Sequence, residues 1–291
     1  MLSFLSILVP LLLSFTAPSA AYWKGFNLPG NLPSGACKTR EDWAHDFSVL
    51  KSLPGQFTSA RLFASSDCGT LANAVPAALA ANAGLLVGVW ATDNAHYEAE
   101  KAALLQAIQQ HGTQWIIAVS VGSEDLYRGD TSAANLASQI REVKSLLCER
   151  GACGTEVGHV DTWTAWVDPK NEDVIRACDF VGHDGYPYWE GASVEQGLDA
   201  FRTNLEKTRN AVGRVKPGTW VWVTETGWPV TGASVGLASS SVANAQAYWK
   251  SAACESFRGA HTFWYTTQDY ASSPSFGVLG ADFKPLYDLS C

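Results

Sequence analysis

The chain has 291 residues, a formal net charge of −8 and a pI near 5.2. Its Lys and Arg are dispersed rather than clustered, which excludes the basic surface that a nucleic-acid partner requires. The compositional bias is aromatic instead, with 12 Trp and 9 Tyr. Flat sugar C–H faces pack on such rings, and core packing is the competing use for any one of them.

Residues Met1 to Ala21 form a Leu-rich apolar run without a charged side chain, broken by Pro10 and closing on Ala17-Pro18-Ser19-Ala20-Ala21. That pattern predicts a secretory leader. The uninterrupted apolar part is shorter than the ~20 residues a membrane span needs. The C-terminus at Cys291 lacks the hydrophobic tail of a lipid-anchor signal. The expectation is therefore a leader at 1–21 and a soluble, monomeric domain at 22–291, secreted to the exterior or the cell wall, with no membrane anchor.

Roughly 270 residues remain, a normal size for one (β/α)₈ TIM barrel. Short β-branched or aromatic runs alternate with longer amphipathic ones, the rhythm of a parallel sheet with crossover helices. Strands are predicted at Tyr22 to Leu28, Thr58 to Ala64, Leu85 to Trp90, Trp115 to Val121, Val157 to Trp163, Phe180 to Asp184, Trp220 to Thr224 and His261 to Trp264. Helices are predicted at Arg40 to Leu53, Tyr97 to His111, Ala133 to Arg150, Val194 to Val212 and Val242 to Phe257. An open doubly wound sheet would carry a glycine-rich phosphate turn after its first strand, and residues 25–30 lack that spacing.

Seven cysteines follow the leader, so in an oxidising compartment one is left over, expected to be open to alkylation. The favoured pairs are Cys37 with Cys68 and Cys254 with Cys291. Cys148, Cys153 and Cys178 compete for a third bridge, with Cys148–Cys178 slightly preferred. The C-x4-C spacing at 148 to 153 has no second ligand pair, and neither metal nor cofactor is expected.

In such a barrel the chemistry sits at the C-terminal ends of the strands. The fourth strand runs into Gly122-Ser123-Glu124 and the seventh into Glu225-Thr226-Gly227-Trp228-Pro229. A carboxylate directly after an apolar strand is costly unless it meets a cleft or a partner. Strands four and seven face one another across the barrel mouth, so two carboxyls can flank one bond. Glycoside hydrolysis needs that pair, one to protonate the leaving oxygen and one to attack or stabilise the oxocarbenium-like centre.

Val121-Gly122-Ser123-Glu124, Tyr186-Pro187-Tyr188 and Glu225-Thr226-Gly227-Trp228-Pro229, taken in order, resemble glycoside hydrolase family 17, the β-1,3-glucanases of fungi and plants. The likeness runs from Gly25-Phe26-Asn27 to the eighth strand. It implies Glu124 as acid/base, Glu225 as nucleophile and β-1,3-glucan as substrate. Ser123 departs from the family's Asn before the acid, which ordinarily bonds the sugar 2-hydroxyl. Trp264 to Asp269 stands where plant members carry Phe-Asp-Glu.

Further candidates follow from their places at the strands. Arg61 is expected to hold the nucleophile ionised by a charge-assisted bond. Tyr186 is expected to donate to Glu225. Trp228 and Trp264 are candidate sugar platforms, and alternation lets only one of His183 and Asp184 face inward. The expected chemistry is double displacement, with water or a second glucan as acceptor. A β-glucan-binding protein without turnover is the alternative from another class.

Overall fold

The computed structural model describes residues 22–291, so the expected leader lies outside the described residues. In chain order the elements are β1 (Lys24–Leu28), α1 (Arg40–Ser52), β2 (Ser59–Leu62), α2 (Thr70–Ala81), β3 (Gly84–Val89), α3 (Asn94–His111) and β4 (Ile116–Ser123). There follow α4 (Asp125–Arg128), α5 (Ala133–Glu149), β5 (Glu156–Thr162), α6 (Trp163–Trp166), α7 (Glu172–Ala177), β6 (Phe180–Asp184), α8 (Val194–Val215) and β7 (Trp220–Glu225). The last are α9 (Val242–Tyr248), α10 (Cys254–Gly259) and β8 (Thr262–Trp264). The strands pair in parallel in sequence order and β8 closes on β1, giving the expected (β/α)₈ barrel.

Local chemistry sets the helix starts. Thr39 and Asp42 form a reciprocal capping box on α1, and Asp93, Ser132 and Ser241 each accept from a backbone N–H in the first turn of α3, α5 and α9. Each such cap is worth roughly 1 kcal/mol. The helix between β2 and β3 was not among the stretches singled out from the sequence. Half of the buried stripe of α2 is alanine, so its large-apolar signal is thin, and Pro76 lies inside the helix. The expected single helix after β7 is interrupted by a π turn at Trp249–Ala253, which seats Trp249 fully in the core.

Side chains alternate between two environments. Val87, Val119, Val157, Val181 and Val223 pack in the layer between strands and helices. Leu86, Ala118, Val160, Phe180, Trp222 and Phe263 form a separate cluster that fills the barrel. Two register shifts sit near the C-terminal ends, between Ser120 and Ser123 on β4 and between His183 and Asp184 on β6. At the second, His183 pairs with Val223 but Asp184 with Glu225, so Thr224 is an extra residue and Glu225 lies beside Asp184.

Cys37–Cys68 and Cys254–Cys291 are bonded as expected, but the third bridge is Cys148–Cys153. Beyond α5 the chain turns at Gly151, whose N–H donates to the Cys148 carbonyl at 3.0 Å, and this brings the two Cα atoms to 4.1 Å. Cys178 is the unpaired thiol, yet it is fully buried, and burial pushes it up to about 12. The expectation of a natively alkylatable thiol is corrected accordingly. Mass spectrometry after iodoacetamide treatment without reductant should show no adduct on the native protein and one, on Cys178, in denaturant.

Candidate active site

The strand ends deliver their side chains to a cleft of 880 Å³ at the barrel mouth, lined by Ser123, Glu124, Asp184, Tyr186 and Glu225 among others. Carboxylate oxygens of Glu124, Asp184 and Glu225 all lie within 4.8 Å of one another. One oxygen of each carboxyl is thus close enough for the group to act on a single bond in the cleft.

Glu225, the last residue of β7, is bonded at both oxygens. Arg61 Nη1 forms a short ion pair with Oε1, and Tyr186 donates its hydroxyl to Oε2 at 2.7 Å. Arg61 is 1% exposed and also donates to Asn27 Oδ1 at 2.7 Å and to Ser123 Oγ at 3.0 Å. Burial opposes its charge, but the hydrogen-bonded carboxylate of Glu225 pushes the guanidinium further up. Burial, reinforced by the charge on Glu225, likewise keeps Tyr186 in its protonated, donating form. Ser123 thus accepts from Arg61, a contact that its sequence context did not disclose.

Glu124 is built differently. Gly122 (φ 72°) and Glu124 itself (φ 57°, ψ 23°) are left-handed, a conformation costing a non-glycine residue about 1–3 kcal/mol. Neighbouring bonds hold the turn. Glu124 N–H donates to Val160 O at 2.9 Å, the His159 ring bonds Val121 O at 2.7 Å, and Leu126 N–H donates to Asp161 Oδ2 at 3.0 Å. Arg128 reaches Glu124 Oε2 at 3.2 Å. Burial first, then the charges of Glu225 and Asp161, push the Glu124 carboxyl up to about 7 despite Arg128. It therefore holds its proton through the acidic range.

Two expected sugar platforms are corrected. Trp264 is 1% exposed and packs on Tyr248 and Trp249, because β8 alternation turns it toward the helices while Phe263 faces the barrel. Trp228 is 1% exposed, meets Tyr188 edge-on and Tyr248 at a tilt, and donates its indole N–H to Ser239 O. The cleft takes its aromatic walls instead from Trp90 after β3, Trp163 after β5, Trp189 after β6, Tyr265 after β8, and Tyr127 and Phe276. The strand-end rule that singled out both glutamates reaches Trp90, Trp163 and Tyr265 as well, each directly after its strand, but not Trp189 five residues beyond β6. Asn27 was also missed as a site residue. Its amide donates to Thr224 O and Phe263 O, which fixes its oxygen toward Arg61. Of the β6 pair, Asp184 faces the cleft, whereas His183 bonds Thr208 on α8.

The BtgE/BtgC glycoside hydrolase domain model matches residues 25–278. The chain belongs to this family. It is 40% identical to a probable glucan endo-1,3-beta-glucosidase (eglC) of Aspergillus terreus over 315 residues, covering 99% of this chain and 64% of that relative's length. It is 34% identical to a glucan 1,3-beta-glucosidase of Schizosaccharomyces pombe, covering 88% and 83%. Among solved structures, the glycoside hydrolase family 17 beta-1,3-glucanosyltransferase of Rhizomucor miehei superposes with a TM-score of 0.79 at 27% identity, covering 91% of this chain and 97% of that one.

The raised Glu124 carboxyl has a consequence for stability. Its folded value near 7 exceeds the ordinary 4.5, so its contribution is fully present below about pH 4.5 and is lost as pH rises through about 7. Urea unfolding should show Glu124→Gln gaining up to about 3 kcal/mol on the parent between pH 4.5 and pH 8; a constant difference at both pH values would refute the burial of an ionising carboxyl. The two tryptophan classes should separate in parallel. Trp264→Ala is expected to lose about 3–5 kcal/mol of stability. Trp189→Ala, at 51% exposure, should leave the unfolding midpoint nearly fixed and raise several-fold the KM for whatever sugar the cleft binds.

Proposed function

We propose that the chain is a retaining glycoside hydrolase acting on β-1,3-glucan, secreted and working outside the cell or in the wall as the 22–291 domain after loss of its leader. The observation that carries this reading is the pair Glu124 and Glu225, oxygens within 4.8 Å, in a cleft walled by aromatic rings. The linkage and sugar are supported by the names of the relatives at 34–40% identity. Three disulfides support an oxidising location, and among the described residues no helix is long and apolar enough to cross a membrane.

Glu225 attacks the anomeric carbon, with Arg61 and Tyr186 holding its carboxylate in place. As the glycosidic C–O bond breaks, Glu124 delivers its proton to the departing oxygen, leaving a glycosyl ester on Glu225. Glu124, now a carboxylate, takes the proton of the acceptor hydroxyl as that oxygen attacks the same carbon and releases Glu225. The anomeric configuration is inverted twice and so retained.

Water as acceptor gives hydrolysis and a second glucan gives transfer. The 27% identity to a family 17 glucanosyltransferase, over nearly all of that chain, favours keeping transfer as the second reading. Product analysis on a defined laminari-oligosaccharide separates them: shorter products alone mean hydrolysis, longer ones mean transfer, and unchanged substrate would leave only a binding role. Glu225→Gln, isosteric but unable to attack, is expected to lower turnover by at least about a thousandfold while the fold survives with a lowered unfolding midpoint, because Arg61 loses its buried anionic partner. Activity within threefold of the parent would remove Glu225 from the nucleophile role.

A further inference from the structure

Three carboxyls converge at the barrel mouth, and the third is the most deeply placed. Asp184 ends β6, is 1% exposed, and offers an oxygen within 4.8 Å of one from Glu124 and one from Glu225. Thr224 Oγ1 donates to its Oδ1 at 2.6 Å. Its Oδ2 is buried with no partner, although the residue lines the cleft. The titratable and charged groups facing it are Arg61 from β2, Glu124 from the turn after β4, Tyr186 from the loop after β6 and Glu225 from β7. Arg61 directs its hydrogen bonds to Glu225, Asn27 and Ser123, and none to Asp184.

An ionised Asp184 would therefore place a second buried negative charge beside Glu225, with one oxygen lacking any donor. Few arrangements of a carboxylate are less favourable. As an acid, the same side chain removes the repulsion, and its unpartnered oxygen becomes an O–H donor that a group in the cleft can accept.

We propose that Asp184 is a neutral carboxylic acid whose Oδ2–H donates to a hydroxyl or ring oxygen of the sugar held between Glu124 and Glu225. It binds the sugar; it neither attacks nor transfers a proton. The identity of the ligand rests on the glycosidase reading, whereas the protonation state does not. Burial, reinforced by the charge on Glu225, pushes the Asp184 carboxyl well above the ordinary carboxylate range against the pull of Arg61. The three carboxyls then divide the work, with Glu225 as anion, Glu124 as exchangeable acid and Asp184 as a fixed donor, each set by its surroundings.

Infrared difference spectra of the free enzyme, parent minus Asp184→Asn, test the protonation state without any glycan. At about pH 5.5 an ordinary aspartate is ionised. The expected result is loss of a protonated-acid carbonyl band in the variant; loss of a carboxylate band instead overturns the proposal, whatever the substrate proves to be. Kinetics on laminaripentaose test the contact. Asp184→Ala should lower kcat/KM at least about tenfold, as expected for a lost hydrogen bond at the reacting sugar. Asp184→Asn, whose amide N–H replaces the O–H, should recover most of that loss. Equal losses in both variants, or none in Asp184→Ala, overturn it. Should Asp184→Ala fail to fold, Asp184→Asn decides alone, a loss above tenfold overturning the proposal and a smaller one supporting it.

Discussion

The site depends on one buried ion pair, Arg61 with Glu225. A guanidinium at 1% exposure must be compensated on several sides, and the barrel does this from three other strands: Asn27 on β1, Ser123 on β4 and Glu225 on β7. Removing one partner of such a pair strands the other's charge, at a cost of about 3–5 kcal/mol. Function and stability are thus coupled here. Asn27 shows how far the coupling extends, since its amide also ties Arg61 to the backbone of β7 and β8.

The opposite side of the cleft obeys a different constraint. Glu124 sits in a left-handed turn and loses hydration, and the one cation that bonds it, Arg128 at 3.2 Å, is shared with Asp130 and does not offset that loss. The turn persists because β5 clamps it, through Val160, His159 and Asp161, on both sides of the strained residue. Two carboxyls of the same chemical type thereby stand in different surroundings, Glu225 bonded at both oxygens and Glu124 raised chiefly by burial. Retaining hydrolysis requires that asymmetry.

The aromatic residues show where pattern reading runs out. Trp228 and Trp264 adjoin the motifs and read as sugar platforms, yet both are core residues, while Trp189 and Tyr127 stand exposed at 51% and 61% on the cleft wall. Nearness to a motif along the chain does not fix which face of a strand or loop a ring takes. One residue of alternation moves a side chain from the barrel interior to the helix layer, and the slip at Asp184 and Glu225 offsets that alternation by one more.

The sequence by itself determined the eight-strand alternation, hence the barrel, and placed Glu124 and Glu225 at the ends of strands four and seven. It also singled out Arg61 and Tyr186, because their motifs lie at strand ends whose positions follow from the barrel's order. These are consequences of period and chain order, which local composition carries. Only the tertiary structure decided that Cys148 bonds Cys153, that α2 forms on a small-residue stripe, that Asn27 and Ser123 serve Arg61, and that Asp184 joins the two glutamates. The disulfide turns on the local bend at Gly151 and α2 on a stripe too weak to read, whereas the contacts of Asn27, Ser123 and Asp184 turn on distances between segments far apart in the chain and on a bulge that shifts register by one. Closure of the barrel sets both, and no local run of residues records them.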